Sequence, residues 1–383
     1  MKRFLLILAI ILWLPFNVQA IEEDAKLTEE QNVQIEKLYD YISNIQSEYE
    51  ILNDMNPKEF VKNYIKNGES GLSIKELFKY FSTYAFREVL AAFKLVGSLI
   101  IVAIVCALLS NLQNAFSNEN LTNIAYFACY SVMIILIVKG FYIGVNLAKD
   151  AILEMSDFIA ALFPVLMMLL ASVGGFVEAT LMDPVIMGIS SIGARFYATV
   201  LIPIICMSFV LEFVNNISDD YKVSNLSNLL RKSALWVQGI FMTVFIAIIT
   251  IRSIAAKSLD LVTMKTAKFA VDSFIPVVGK TLSDAISTVA GYTVLLKNAI
   301  SSVGLIVIIV IMMLPIIKIL IMAFIYKLTA ALIEPISDKK VVSIIDSAGN
   351  SLIMVNSCII SVSVMFFIMI TIVASTGKGI IML

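Results

Sequence analysis

The stretch SSVGLIVIIVIMMLPIIKILIMAFIY, residues 301–326, holds a single charged side chain, Lys318, over a length that crosses a bilayer. A helix needs roughly 20 apolar residues to span the hydrocarbon core, so a chain in which such runs recur is built for lipid. Working outward, six more runs are read at about 93 to 110, 124 to 148, 158 to 175, 185 to 213, 234 to 251 and 351 to 374. The predicted fold class is therefore all-α: a polytopic helical membrane protein of about seven spans, with an amphipathic or re-entrant segment between the fifth and sixth. Composition agrees. Hydrophobic residues make up 60% of the chain and charged residues 15%, and the mean hydropathy is +0.93, beyond the range of soluble globular chains.

The formal charge of −1 conceals an asymmetry. Residues 22 to 94 carry 14 of the 29 acids but 9 of the 28 bases, so a mildly acidic polar region precedes a slightly basic membrane body. Neither part has the Lys/Arg-rich stripe of a nucleic-acid surface, and no nucleic-acid partner is expected. Lys2 and Arg3, the apolar run from Phe4 to Phe16 and the small-residue exit at Val18-Gln19-Ala20 read as a secretory signal over residues 1–20. The alternative is an uncleaved first anchor. Either reading puts residues 21–90 outside the cytoplasm.

Within that region Leu38, Ile42 and Ile45 recur at helical spacing, as do Phe60, Tyr64 and Ile65. Asn56 is placed as a helix cap before Pro57 in the first turn, with turns at Asn56-Pro57 and between Gly68 and Gly71. Such helices either form a small hairpin core or present a docking surface.

The multi-pass domain is read as 91–383, with a polar connection at 252–300. That connection carries Arg252, Lys257, Lys265, Lys268, Lys280 and Lys297, which favours the cytoplasmic side and places the C-terminus there too. Lys222, Arg231 and Lys232 oppose that orientation. Inside the connection, Lys268 with Asp272 and Lys280 with Asp284 sit at i and i+4, and the helix pattern breaks at Pro276 and Gly279. These six residues are the candidate functional loop, a docking surface or pore-lining element, against the plainer reading of solvated surface pairs.

Charges inside spans are costly, about 2.5 to 3.5 kcal/mol each at a helix centre, so each asks for a partner. Arg195 lies deepest, with Glu178, Asp183 and Glu212 as candidate partners; such a pair serves as packing glue or as part of a polar path. Lys139 and Lys318 are read as snorkelling. Pro164, Pro203 and Pro315 either break or merely kink their helices, and Gly174, Gly175, Gly188 and Gly193 supply small faces for close helix approach.

Chemistry is conspicuously missing. The chain has no histidine, which removes Ser-His-Asp and Cys-His catalysis and HExxH metal sites. Cys106, Cys129, Cys206 and Cys358 all fall in apolar runs without metal-ligand spacing, so neither a disulfide framework nor a zinc site is expected. No catalytic residue, cofactor or metal is assigned, and the protein is expected not to be an enzyme.

Particular runs carry a resemblance. They are LQNAF at 112–116, ALFP at 161–164 leading to LLAS at 169–172 and Gly174-Gly175, SDDYKV at 218–223 and NLLR at 228–231. Further on come TAKF at 266–269, FIPVVGK at 274–280 with SDA at 283–285, KNA at 297–299 and PIIKI at 315–319. From about residue 75 onward the chain resembles the stage III sporulation protein AE family. The resemblance implies a polytopic component made in the mother cell of an endospore-forming bacterium, in the membrane facing the forespore. It also implies membership of a multiprotein complex needed for late forespore development. Implied partners are the other membrane and ring subunits of that complex, a cytoplasmic secretion-type ATPase and the lipid bilayer, with a homo-oligomer kept open. The implied role is a channel or export-gate-like subunit; a secondary transporter and a purely structural scaffold are the alternatives.

Overall fold

The computed structural model describes residues 28–46, 49, 52, 56–67, 74–115, 119–173, 176–217, 223–274, 279–337 and 339–375; within these, side chains at 30, 67, 74, 76, 94–95, 109–127, 129–130, 176–178, 180–186, 216–217, 253 and 255–290 lie outside that description. Among the described residues all regular structure is helical. The order is α1 (Glu29–Gln46), α2 (Pro57–Asn67), α3 (Ile74–Ala115), α4 (Glu119–Ser172), α5 (Phe176–Phe196), a π-turn (Tyr197–Leu201), α6 (Ile202–Ile217), α7 (Ser224–Phe274), α8 (Gly279–Ile333) and α9 (Lys339–Ser375). Helices are the natural solution because lipid offers no partner for a free backbone N–H or C=O.

Among the described residues six stretches are long and apolar enough to cross a membrane: Leu77–Leu108, Ser131–Ser172, Met187–Asn215, Ser224–Arg252, Gly291–Ile333 and Lys339–Ser375. The polytopic all-α expectation holds, but the second and third expected spans are one helix. Lys149, Asp150, Glu154 and Asp157 look like a connection in hydropathy, yet α4 runs through them without interruption. Pro164 and Pro315 likewise lie inside continuous helices and do not break them. The break expected near Pro276 and Gly279 falls between α7 and α8, and α8 starts at Gly279; Pro276 itself lies outside the described residues. At the far end Pro335, which has no N–H to continue the ladder, follows α8, and the N–H groups of Ile336 and Ser337 turn back onto Ile333 O.

α9 is the most enclosed helix, packed against α8, α4 and α6, while α8 also packs on α4 and α3. Close approach depends on small residues. A Cβ at Gly349 would lie 3.0 Å from the Ala323 backbone oxygen, and one at Gly304 would collide with Leu162.

The N-terminal helices are docked, not free. Thr28 and Gln31 form a reciprocal capping box, Thr28 N–H donating to Gln31 Oε1 at 2.9 Å and Gln31 N–H to Thr28 Oγ1 at 3.4 Å. Asn56 Oδ1 caps α2 by accepting from the N–H groups of Lys58 and Glu59, as its position predicts. Leu38, Ile42, Ile45, Phe60 and Tyr64 are buried. α1 lies along the second half of α4: Gln31 Nε2 donates to Ser172 Oγ at 2.6 Å, Tyr41 rests on Phe158, and Tyr49 O–H donates to Glu154 Oε2 at 2.7 Å. The Tyr39 hydroxyl is pushed up to about 12 by burial, then by Glu36 and by Tyr292 of α8.

These contacts put the N-terminal helices at the end of the body where α4 stops and α8 begins. The buried Lys297 Nζ donates to Val373 O at 2.9 Å, which brings the last turn of α9 to the same end. If each of the six helices crosses once, residues 28–67, the α7–α8 turn and the C-terminal end of α9 share one side. On that arrangement an extracytoplasmic head would go with an extracytoplasmic 252–300 segment and C-terminus, opposite to the side their basic residues favour. The leader, residues 1–20, lies outside the described residues. Reporter fusions at residues 67 and 280 should report one side and fusions at 222 and 338 the other; opposite readings at 67 and 280 would refute this arrangement.

Candidate functional site

The polar groups of the membrane body gather where α7, α9 and the π-turn meet. Pro203 has no N–H to offer Thr199 O, and its ring would press on that carbonyl, so the preceding turn widens. Ile202 N–H reaches back five residues to Tyr197 O, and Thr199 Oγ1 donates to Arg195 O at 2.7 Å. The widened turn holds Tyr197 fully buried, with its hydroxyl 3.5 Å from Gln238 O and its ring edge-on to Phe241. Gln238 then bridges to α9: its Nε2 donates to Ser357 O at 3.0 Å and Ser361 Oγ at 2.6 Å, while Ser357 Oγ donates to Gln238 Oε1 at 3.2 Å. Hydrogen bonds of this kind between membrane helices are worth about 0.6 to 2 kcal/mol each, enough to fix a register.

Other polar contacts tie the remaining helices. Lys318 does not merely snorkel, because its Nζ is 3.3 Å from Glu88 Oε1 of α3. Lys327 pairs with Asp346 at 3.1 Å, and Asn350 Nδ2 donates to the other oxygen of that carboxylate. Tyr326 O–H donates to Ile137 O at 3.1 Å. α9 carries Ser347, Ser351, Asn356 and Ser363 buried along its length. Among the described residues Asn356 Oδ1, Asn298 Oδ1 and Ser301 Oγ are buried without a hydrogen-bond partner.

Of the residues singled out from sequence, Arg195 is exposed and joins no ion pair among the described residues, while Glu212 is half-buried on α6. The side chains of Glu178 and Asp183 are not described. Lys268 and Asp272 lie on the backbone of α7, and Gly279, Lys280 and Asp284 on that of α8, also without described side chains. Lys139 is exposed, as a snorkelling lysine would be, and Gly193 is buried against Phe241. Cys106 and Cys358 are buried thiols and Cys206 is half-buried, whereas the Cys129 side chain lies outside the description. Gln238, Asn356 and Lys297 were not picked out as sites; their signal was a strongly polar side chain in or beside an apolar run. Among the described residues no cluster of His, Cys, Asp and Glu could hold a metal ion.

Comparison with known proteins places this architecture. The family model of stage III sporulation protein AE matches residues 55–377, reaching further toward the N-terminus than the motifs from about residue 75. The stage III sporulation protein AE of Bacillus subtilis (strain 168) is 35% identical over 368 residues, covering 94% of this chain and 92% of that one. No solved structure matches it.

Proposed function

Because the chain belongs to the stage III sporulation protein AE family, we propose that it is a non-enzymatic membrane subunit of a sporulation complex joining mother cell and forespore, acting as a channel or export-gate-like component. The observation that carries this reading is the polar interior of α9. A scaffold helix enclosed by α4, α6 and α8 has no use for Asn356 on its buried surface, where Oδ1 is left without a hydrogen-bond partner among the described residues and costs desolvation. A helix that lines or gates a polar path does. The π-turn and the Gln238 bridge add an element able to exchange hydrogen-bond partners without unfolding.

Sidedness divides the surface between partners. Residues 28–67 and the α7–α8 hairpin with Lys268, Asp272, Lys280 and Asp284 form one extramembrane end, suited to the ring subunits. The α3–α4, α6–α7 and α8–α9 turns form the other end, which would meet the cytoplasmic ATPase.

Asn356→Leu separates gate from scaffold. It removes a buried acceptor without a described partner, so the folded body should be no less stable, or slightly more so. The gate reading expects normal membrane levels with loss of late forespore gene expression. Full activity from Asn356→Leu and from Ser363→Ala would leave the scaffold as the better description.

A further inference from the structure

Three charged side chains stand on the outer surface of the apolar spans, two of them, Arg195 and Asp157, at one depth. Arg195 of α5 is exposed between the exposed Ile192 and Val200. Asp150 and Asp157 of α4 are exposed one heptad apart, with Leu153 exposed between them on the same face. No ion pair among the described residues includes any of the three.

Their depth follows from α9, which both helices touch. Ser190 Oγ meets Met369 Sδ at 3.2 Å, and Gln238 lies against both Tyr197 and Ser361, so α5 descends as α9 rises. Arg195 is thereby level with the region of Ser363. Ser363 Oγ in turn meets Met155 Sδ at 3.4 Å, two residues from Asp157. Arg195 and Asp157 thus sit within about 3 Å of the same height, two residues at 1.5 Å each.

We propose that this outer surface is an interface between copies of this chain, in which Arg195 of one copy meets Asp157 of the next, with Asp150 one heptad away as flanking acid. Copies inserted through one leader share one orientation, so residues that meet across their interface must lie at equal depth. An opposite-charge pair at equal depth meets that condition, and each charge supplies what the other lacks. The guanidinium offers two parallel donors to a carboxylate, a match that neither the apolar flanks nor a lysine would reproduce.

The test uses the full chain with Cys106, Cys129, Cys206 and Cys358 replaced by alanine. Arg195→Cys and Asp157→Cys are placed on separately tagged copies, co-expressed in a non-sporulating host and oxidised in membranes. A cross-linked product carrying both tags at twice the chain's mass is expected. It should be lost when Asp157→Cys is replaced by Ile135→Cys, an exposed position on α4 at another depth.

In sporulating cells Arg195→Glu and Asp157→Arg should each lose function alone and restore it when expressed together as two alleles, because each mixed contact then pairs opposite charges. The proposal is overturned by membranes that hold both cysteine copies but give no two-tag product, by equal cross-linking at Ile135→Cys, or by Arg195→Cys joining a different protein. It is also overturned if the charge reversals are tolerated, as headgroup-level charges would be. The cross-link needs no sporulation complex, so its failure leaves the gate reading standing, and failure of the gate reading leaves the cross-link intact.

Discussion

Gly349→Leu should remove the protein from the membrane almost completely. The α8–α9 contact is the most extensive in the body, and at Gly349 the two backbones are separated by no side chain. An added Cβ would sit 3.0 Å from Ala323 O, 3.0 Å from Lys327 Cγ and 3.4 Å from Tyr326 Cβ. The first of these is backbone and cannot rotate away, so α9 must move as a rod, pulling the Lys327–Asp346 pair apart. Overpacking in a dense core costs about 1 to 3 kcal/mol before such secondary losses. Immunoblots of membrane fractions and the melting temperature in detergent would record the effect. Gly97→Leu is the control, because nothing lies within 4 Å of its would-be Cβ, and it should leave both readouts unchanged. If Gly349→Leu behaves like Gly97→Leu, the helices do not approach as described.

Lys297→Glu should be comparably severe. Lys297 is 0% exposed, and its ammonium lies 2.9 Å from Val373 O in the last turn of α9. The final carbonyls of a helix lack intrahelical donors and carry the negative end of its dipole, so a cation there satisfies both. A carboxylate in its place would face the carbonyl and the dipole with like charge, and an uncompensated buried charge costs about 3 to 5 kcal/mol. Lys297→Met keeps most of the stem and forfeits the charged hydrogen bond to Val373 O, about 1.5 to 3 kcal/mol. The expected order of membrane level and melting temperature is wild type, then methionine, then glutamate. Wild-type behaviour of Lys297→Glu would mean that the side chain is solvated.

Lys297 also shows how far the sequence could be read. Counted as one of six bases in a polar connection, it supported a cytoplasmic loop, because charge is legible in sequence whereas burial is not. The amphipathic helices around Leu38 and Phe60 were legible since their spacing follows 3.6 residues per turn. The Thr28–Gln31 capping box was present in the same letters and passed over. The split of α4 into two spans failed for a physical reason: hydropathy registers what surrounds side chains, and Lys149 to Asp157 interrupt the apolar surface without interrupting backbone hydrogen bonds. Glu88 as the partner of Lys318, 230 positions away, leaves no trace in local spacing. Gln238 and Asn356 stood in plain view inside apolar runs, and the rule that intramembrane polar residues need a reason applied to them as much as to Arg195.

The 54 residues of α4 and the 55 of α8 make two adjoining rods of about 81 and 83 Å at 1.5 Å per residue. A hydrocarbon core of about 30 Å grips little more than a third of either. Stiff members held near the middle act as levers: a tilt of about 10° would sweep the tip of such a rod through roughly 14 Å relative to its other end. Force applied by a neighbour on one face of the membrane therefore reaches the opposite face as travel, with no hinge required between them.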